Sequence, residues 1–205
     1  YLAQGTTLYK YALDGALIWK AENVGSSYCI AVETSGVYVG VSASSAYYVK
    51  KCNRTNGQVT WTSTSLGSTI TALAVNSNTV IAANSNYLIY RLYPSNGSTV
   101  YTYTMPNNRS ASALAIEPGT NHFYSADGYY YTLRKHSYQT GEPIFERGNS
   151  YSGAAYNLFI DNQNNIYAVS SVEITKQDNQ LAAFIWREPH SINRSEEHTS
   201  ELQSH

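Results

Sequence analysis

Residues 28–63 read YCIAVETSGVYVGVSASSAYYVKKCNRTNGQVTWTS, a stretch that divides into four strand-length runs separated by turn signals. Residues 28–33 make the first run, Ser35-Gly36 a turn, 37–41 the second run and Ser44-Ser45 another turn. Residues 47–52 make the third, Asn56-Gly57 a turn, and 58–63 the fourth. Nowhere in the chain do apolar residues keep the 3.6-residue spacing of an amphipathic helix over more than two turns. The segment is therefore predicted to be four consecutive antiparallel strands.

The same order recurs along the chain. Asp14-Gly15, Asn56-Gly57, Asn96-Gly97 and Thr140-Gly141 place glycines 42, 40 and 44 residues apart, and four positions after each stands Trp19, Trp61, Tyr101 or Phe145. Before each glycine an apolar residue is followed by a basic one: Leu8/Lys10, Val49/Lys51, Ile89/Arg91 and Leu133/Lys135. A second marker stays in phase with the first, as Ile30-Ala31-Val32-Glu33, Leu73-Ala74-Val75-Asn76, Leu114-Ala115-Ile116-Glu117 and Leu158-Phe159-Ile160-Asp161. Four strands per unit and a period just over forty residues are the signature of a β-propeller blade. Its sheets are apolar on both faces because each stacks on its neighbours around a channel, and the middle Ala of the first three triplets suits the crowding near that axis. We expect an all-β chain, a partial β-propeller of about four four-stranded antiparallel blades. It should start late in one blade, hold three complete ones, and enter a partial set over residues 156–186.

Composition agrees. Of 205 residues, 42% are hydrophobic and 13% aromatic, with twenty tyrosines, five prolines and one methionine, a balance that suits strands. Charged residues make up only 13%, about half the usual share, so Ser, Thr, Asn and Tyr supply the polarity. A net charge of −1 offers no basic face for nucleic-acid phosphates. A mean hydropathy of −0.36, without an apolar run near 18 residues, argues against membrane insertion by a helix. The start carries neither an initiator Met nor a signal segment and reads as a cut through a longer chain. After Trp186 charged and polar residues take over, so the propeller is expected over residues 1–187 and a non-native or disordered tail over 188–205. Residues 194–205, RSEEHTSELQSH, resemble the translation of a short-read sequencing adapter, which removes His198, His205 and the tail glutamates from site candidacy.

The glycine with an aromatic residue four positions later resembles the tryptophan-docking repeat of PQQ-like (quinoprotein dehydrogenase-like) and YVTN/WD40-like propellers. The resemblance implies that Gly15, Trp19, Gly57, Trp61, Gly97, Tyr101, Gly141 and Phe145 hold the outer strands of adjacent blades together. The chain departs from that pattern at the family's Ala position, which holds Lys51, Arg91 and Lys135, and at its Asp position, which holds Asn53, Tyr93 and Ser137. The adjacent cysteine pair of the quinone-dependent oxidising members has no counterpart, since Cys29 and Cys52 lie far apart. Whether those two thiols pair is left open by the sequence.

Other groups read as structure first. Glu33, Asn76, Glu117 and Asp161 fall where an inner strand meets its turn; a cation site is conceivable, but turn capping is the expectation. The heads of Lys10, Lys51, Arg91 and Lys135 are expected on an acidic partner or over the repeat aromatic. His122 and His136 stand at no metal spacing and read as half-buried strand residues. Glycosylation patterns begin at Asn53, Asn96 and Asn108, meaningful only in a eukaryotic secretory setting. No catalytic residue, metal site or cofactor is assigned. The inter-blade loops at 21–27, 65–68, 105–110 and 147–153 share a face with those at 42–46 and 84–86. They are rich in Ser, Gly, Asn and Tyr, the composition of a paratope, which suits a protein or glycan surface. Asn107, Asn108, Arg109 and Tyr151 are the candidate ligand contacts. The functional expectation is a non-enzymatic recognition or structural module of a bacterial surface protein or phage virion, extracellular rather than cytoplasmic. The alternative is a fragment of a quinone-dependent dehydrogenase or other propeller enzyme with its active site in further blades.

Overall fold

The computed structural model describes residues 1–127, 132–148, 155–170, 173–180 and 184–189. Among these residues nineteen strands form five sheets, each an antiparallel meander in chain order. The first sheet holds β1 (Leu2–Gln4), β2 (Thr7–Tyr11) and β3 (Leu17–Ala21). The second holds β4 (Ser26–Glu33), β5 (Gly36–Ala43), β6 (Ala46–Cys52) and β7 (Val59–Thr62). The third holds β8 (Ile70–Asn76), β9 (Thr79–Asn84), β10 (Leu88–Leu92) and β11 (Thr99–Thr104). The fourth holds β12 (Ala111–Ile116), β13 (His122–Asp127), β14 (Leu133–Ser137) and β15 (Pro143–Arg147). The fifth holds β16 (Ala155–Ile160), β17 (Ile166–Ser170), β18 (Glu173–Gln177) and β19 (Phe184–Pro189). The only described helix is a 3-10 turn over Pro106–Asn108, and no helix among the described residues is long and apolar enough to cross a membrane.

The first strands of successive sheets lie side by side: β4 packs on β8, β8 on β12 and β12 on β16. The sheets fan out from these strands around a common axis. The second strands β5, β9 and β13 are then covered on both faces, and their side chains alternate between two flanking cores. Val37, Val39 and Val41 face the cluster shared with the first sheet, while Tyr38 joins the cluster shared with the third. In β9, Val80 and Ala82 point back to that cluster, while Ile81 and Ala83 point on to the next. Gly40 has no room for a side chain, because a Cβ there would lie 2.7 Å from both Cys29 Sγ and Ile70 Cβ. The apolar, unalternating composition of these strands is thus the consequence of two buried faces, each Val or Ile contributing about 1.5–3 kcal/mol of transfer free energy.

The fifth sheet has all four strands rather than the partial set expected. Its outermost strand β19 pairs Arg187 with Thr175 and Glu188 with Ile174. An outermost strand tolerates charged residues, and β19 runs to Pro189. Residues 190–205, and with them the adapter-like stretch, lie outside the described residues.

Two irregularities repeat. Each inner pairing shifts register near its start, between Ser27/Cys29, Ile70/Ala72, Ala111/Ala113 and Ala155/Asn157. Each outer pairing shifts immediately after its basic residue, between Lys10/Tyr11, Lys51/Cys52, Arg91/Leu92, Lys135/His136 and Lys176/Gln177. A bulge bends its strand and re-aims the neighbouring side chain.

Candidate functional site

Connections of a meander alternate between the two ends of each sheet, which gives the molecule two unlike faces. One carries the β2–β3, β6–β7, β10–β11 and β14–β15 turns. Here each repeat grips the next. Trp19 Nε1 and Lys10 Nζ both donate to the carbonyl of Arg54, at 3.1 and 2.9 Å. Trp61 Nε1 and Lys51 Nζ both donate to the carbonyl of Pro94, at 3.0 and 3.3 Å. Arg91 Nη1 reaches the carbonyl of Tyr138 at 3.0 Å, and Lys135 Nζ that of Asn179 at 3.2 Å. The first three acceptors sit in the turn of the following sheet whose glycine lies under the aromatic ring. A Cβ on Gly57 would meet Trp19 at 2.7 Å, one on Gly97 would meet Trp61 at 2.5 Å, and one on Gly141 would meet Tyr101 at 2.5 Å. Gly15 has nothing within 4 Å of its Cβ position, and Phe145 is 44% exposed.

The basic heads differ from expectation. They lie over tyrosines, Lys51 over Tyr38 at 5.4 Å and Lys135 over Tyr124 at 5.4 Å, and not over the repeat aromatic. Lys135 also meets an acid, Glu117, at 3.0 Å. The bulge after each basic residue accounts for this, since it turns the stem toward the neighbouring sheet.

Turn carboxylates and amides on this side are engaged by their own loops. Hydrogen bonds from Thr34 Oγ1 and the Ser35 amide hold the Glu33 carboxyl down at about 2. Asn76 Oδ1 accepts from the amides of Asn78 and Thr79, both at 2.9 Å. Asp161 accepts from the Gln163 and Asn165 amides. Glu117 is 1% exposed; burial pushes its carboxyl up, but bonds from Lys135, Thr120 and Tyr124 leave it below the usual range. An open hollow of 990 Å³ on the axis is lined by Ala31, Ala74, Ala115 and Phe159 of the inner strands, with Asn76 and Thr120 at its rim. No group of three or more His, Cys, Asp or Glu among the described residues is placed to hold a metal ion.

The histidines separate. His122 is partly exposed and 3.2 Å from Glu117. His136 is fully buried rather than half-buried, stacked on Phe123 at 4.6 Å. The Gly141 carbonyl, 2.8 Å from Nδ1, can only accept, so Nδ1 carries the proton and Nε2 accepts from Ser125 Oγ at 2.8 Å. Burial lowers its pKa to about 4. Ser125 is equally buried, so this pair is core structure and not an exposed nucleophile. Cys29 and Cys52 are free thiols.

The opposite face carries the connections between sheets and the β5–β6 and β9–β10 turns. Asn107 and Asn108 lie here, exposed, at φ 59° and 51°. Arg109 is tied to its own chain, Nη1 3.5 Å from the fully buried Asp127, which Arg134 also approaches at 3.4 Å. Tyr151 falls outside the described residues. Sequence reasoning marked the 21–27 and 42–46 loops but singled out none of their residues. Asn23, Ser44 and Ser45 all take left-handed backbone angles, at φ 60°, 52° and 61°. The available signal was Ser44-Ser45 in a two-residue hairpin, a place where Asn-Gly is the favoured pair.

No family model and no curated protein sequence matches this chain. Among solved structures it is similar to BamB from Moraxella catarrhalis, at 15% identity and a TM-score of 0.69, over 92% of this chain and 57% of that one. It is also similar to the WD40 β-propeller domain of Doa1, at 12% identity and a TM-score of 0.72, over 89% of this chain and 61% of that one. The fold is a β-propeller. Its four four-stranded sheets and the three-stranded first sheet are blades, and the chain spans roughly three fifths of the length of these relatives in shape. The face with the gripping turns is where blade docks on blade; the other is the loop face.

Proposed function

We propose that this propeller is a non-enzymatic recognition or scaffolding module that meets its partner through the loop face. The repeats would be of the PQQ-like or YVTN/WD40-like kind, in a bacterial surface protein or a phage virion. One observation carries the reading. Among the described residues, six of the seven non-glycine residues with positive φ, namely Asn23, Ser44, Ser45, Tyr87, Asn107 and Asn108, lie in loop-face connections. Only Asn164 lies on the docking face, where glycines 15, 57, 97, 119 and 141 take that conformation; on the loop face Gly5, Gly25 and Gly67 take it beside the six side-chain-bearing residues. Left-handed geometry costs a side-chain-bearing residue energy that glycine avoids, and such outliers gather where a ligand is held. The loop face also presents polar and aromatic side chains with few charges, the mixture that recognition loops use.

The test compares faces. The chain and two variants are presented to a glycan array and to purified bacterial envelope fractions. Asn107→Ala with Asn108→Gly and Tyr87→Gly should lose binding, while Thr34→Ala with Asn56→Ala on the docking face should keep it. Loss of binding from the docking-face variant alone overturns the reading.

A further inference from the structure

We infer that the loop face between the first two blades holds a subsite for a neutral carbohydrate. The inference rests on the recognition reading above and names its ligand class. An open groove of 420 Å³ lies there, within the range of about 300–1,000 Å³ usual for small-ligand clefts. Thr6, Asn23, Ser26, Ser44 and Ser45 line it together with Tyr47. None of the first five makes a side-chain hydrogen bond within the described chain. The docking-face turns behave otherwise: Asn53, Asn56, Asn76, Asn96 and Asp161 all cap backbone amides. In the groove, hydroxyls and an amide able both to donate and to accept are left for something outside the chain.

Charge defines the class further. No charged residue lines the groove. Lys50, on the adjoining β6, donates to the Val24 carbonyl at 2.6 Å, and Lys20 pairs with Glu22 at 2.6 Å. Such a lining matches uncharged hydroxyls and gives no counter-charge to a phosphate, sulfate or carboxylate. Beside it stand two tyrosines with ring centroids 6.4 Å apart, and Tyr28 is 49% exposed with its hydroxyl 3.1 Å from Ser42 Oγ. A half-exposed ring next to a hydroxyl-lined groove offers the apolar face on which a sugar ring stacks while its hydroxyls reach the groove.

The backbone supports this. Ala43 pairs with Ala46, so Ser44 and Ser45 are the two central residues of a tight hairpin, both left-handed. The two-residue hairpins at Thr34-Ser35 and Ser77-Asn78 contain no positive φ, and the one at Gly5-Thr6 takes it at a glycine, where it costs little. This turn type favours Asn-Gly, so the serines hold a strained geometry that places two hydroxyls at the groove. Gly25 closes the other wall: a Cβ there would lie 2.9 Å from the Ser42 carbonyl.

Ser44→Asn with Ser45→Gly separates structure from binding, because it suits the turn while removing both hydroxyls. We expect a higher melting temperature and at least a tenfold loss of affinity for the best neutral oligosaccharide on an array, confirmed by titration calorimetry. Tyr28→Ala should lose at least as much, and Tyr28→Phe, which keeps the ring, should lose less than threefold. Absence of binding to every neutral glycan overturns the subsite, as does unchanged affinity in the serine double variant. Binding that is lost only with the Asn107/Asn108 variant overturns the subsite and leaves the loop-face reading standing.

Discussion

Gly57 lies so close beneath the indole of Trp19, in the preceding blade, that a Cβ at Gly57 would stand 2.7 Å from Cζ3. The contact and the shared Arg54 carbonyl make the turn of one blade the floor on which the previous blade rests. Gly57→Ala therefore faces two costs, a left-handed backbone of about 1–2 kcal/mol and overpacking of about 1–3 kcal/mol. Gly15→Ala, at φ 87° with nothing near its Cβ position, faces only the first. Urea denaturation should rank Gly57→Ala as the more destabilised by at least 1 kcal/mol or so; equal losses would show that the ring contact does not constrain the turn.

Tyr101 occupies the tryptophan position of its repeat, yet its buried hydroxyl finds no hydrogen-bond partner, and burial pushes its pKa up to about 12. Tyr101→Phe removes an unsatisfied polar atom and keeps the ring on Gly141. Stability should hold or rise by up to about 1 kcal/mol, whereas Trp61→Phe, which forfeits a bond to Pro94, should lose about 1 kcal/mol. Thermal melts of the two variants decide the point, and a clear loss in Tyr101→Phe would contradict it.

His136 is neutral in the folded chain down to about pH 4, while in the unfolded chain it takes a proton near its ordinary value of 6.5. Lowering pH through that window stabilises the unfolded state, so folding stability is complete above pH 6.5 and declines as pH falls toward 4. The contribution of this one group is about 3 kcal/mol at the acid end. His136→Gln should show a shallower fall in stability between pH 6.5 and 4 than the parent; parallel curves would place the proton uptake elsewhere.

Cys29 and Cys52 are desolvated, which pushes their thiols up to about 12 and about 11. A thiolate-directed disulfide reagent at pH 8 should label neither in the folded protein and both in denaturant. Rapid labelling under native conditions would mean that the packing between the first three blades opens readily.

The repeat was legible because its determinants are local. Glycines at fixed intervals, turn pairs such as Asn56-Gly57 and apolar triplets such as Leu73-Ala74-Val75 declare themselves within a few residues, and together they define four strands per blade. The fifth blade was less legible, since Arg187 and Glu188 pair on an outermost strand, where composition is permissive. The loop-face groove was hardly legible. Serine is common in any turn, and only backbone angles distinguish Ser44-Ser45 from Thr34-Ser35.

By itself, then, the sequence determined strand order, blade count within one and the all-β architecture, because period and turn chemistry act over short spans of chain. Tertiary structure alone decided that Gly57, Gly97 and Gly141 each meet the aromatic of the preceding repeat and that Lys10, Lys51 and Lys135 end on backbone carbonyls 44, 43 and 44 residues onward. It also decided which hydroxyls remain unbonded between the first two blades. These outcomes depend on how separate sheets stack and how bulges re-aim side chains, and pairings through space at such separations leave no mark in the local order of residues.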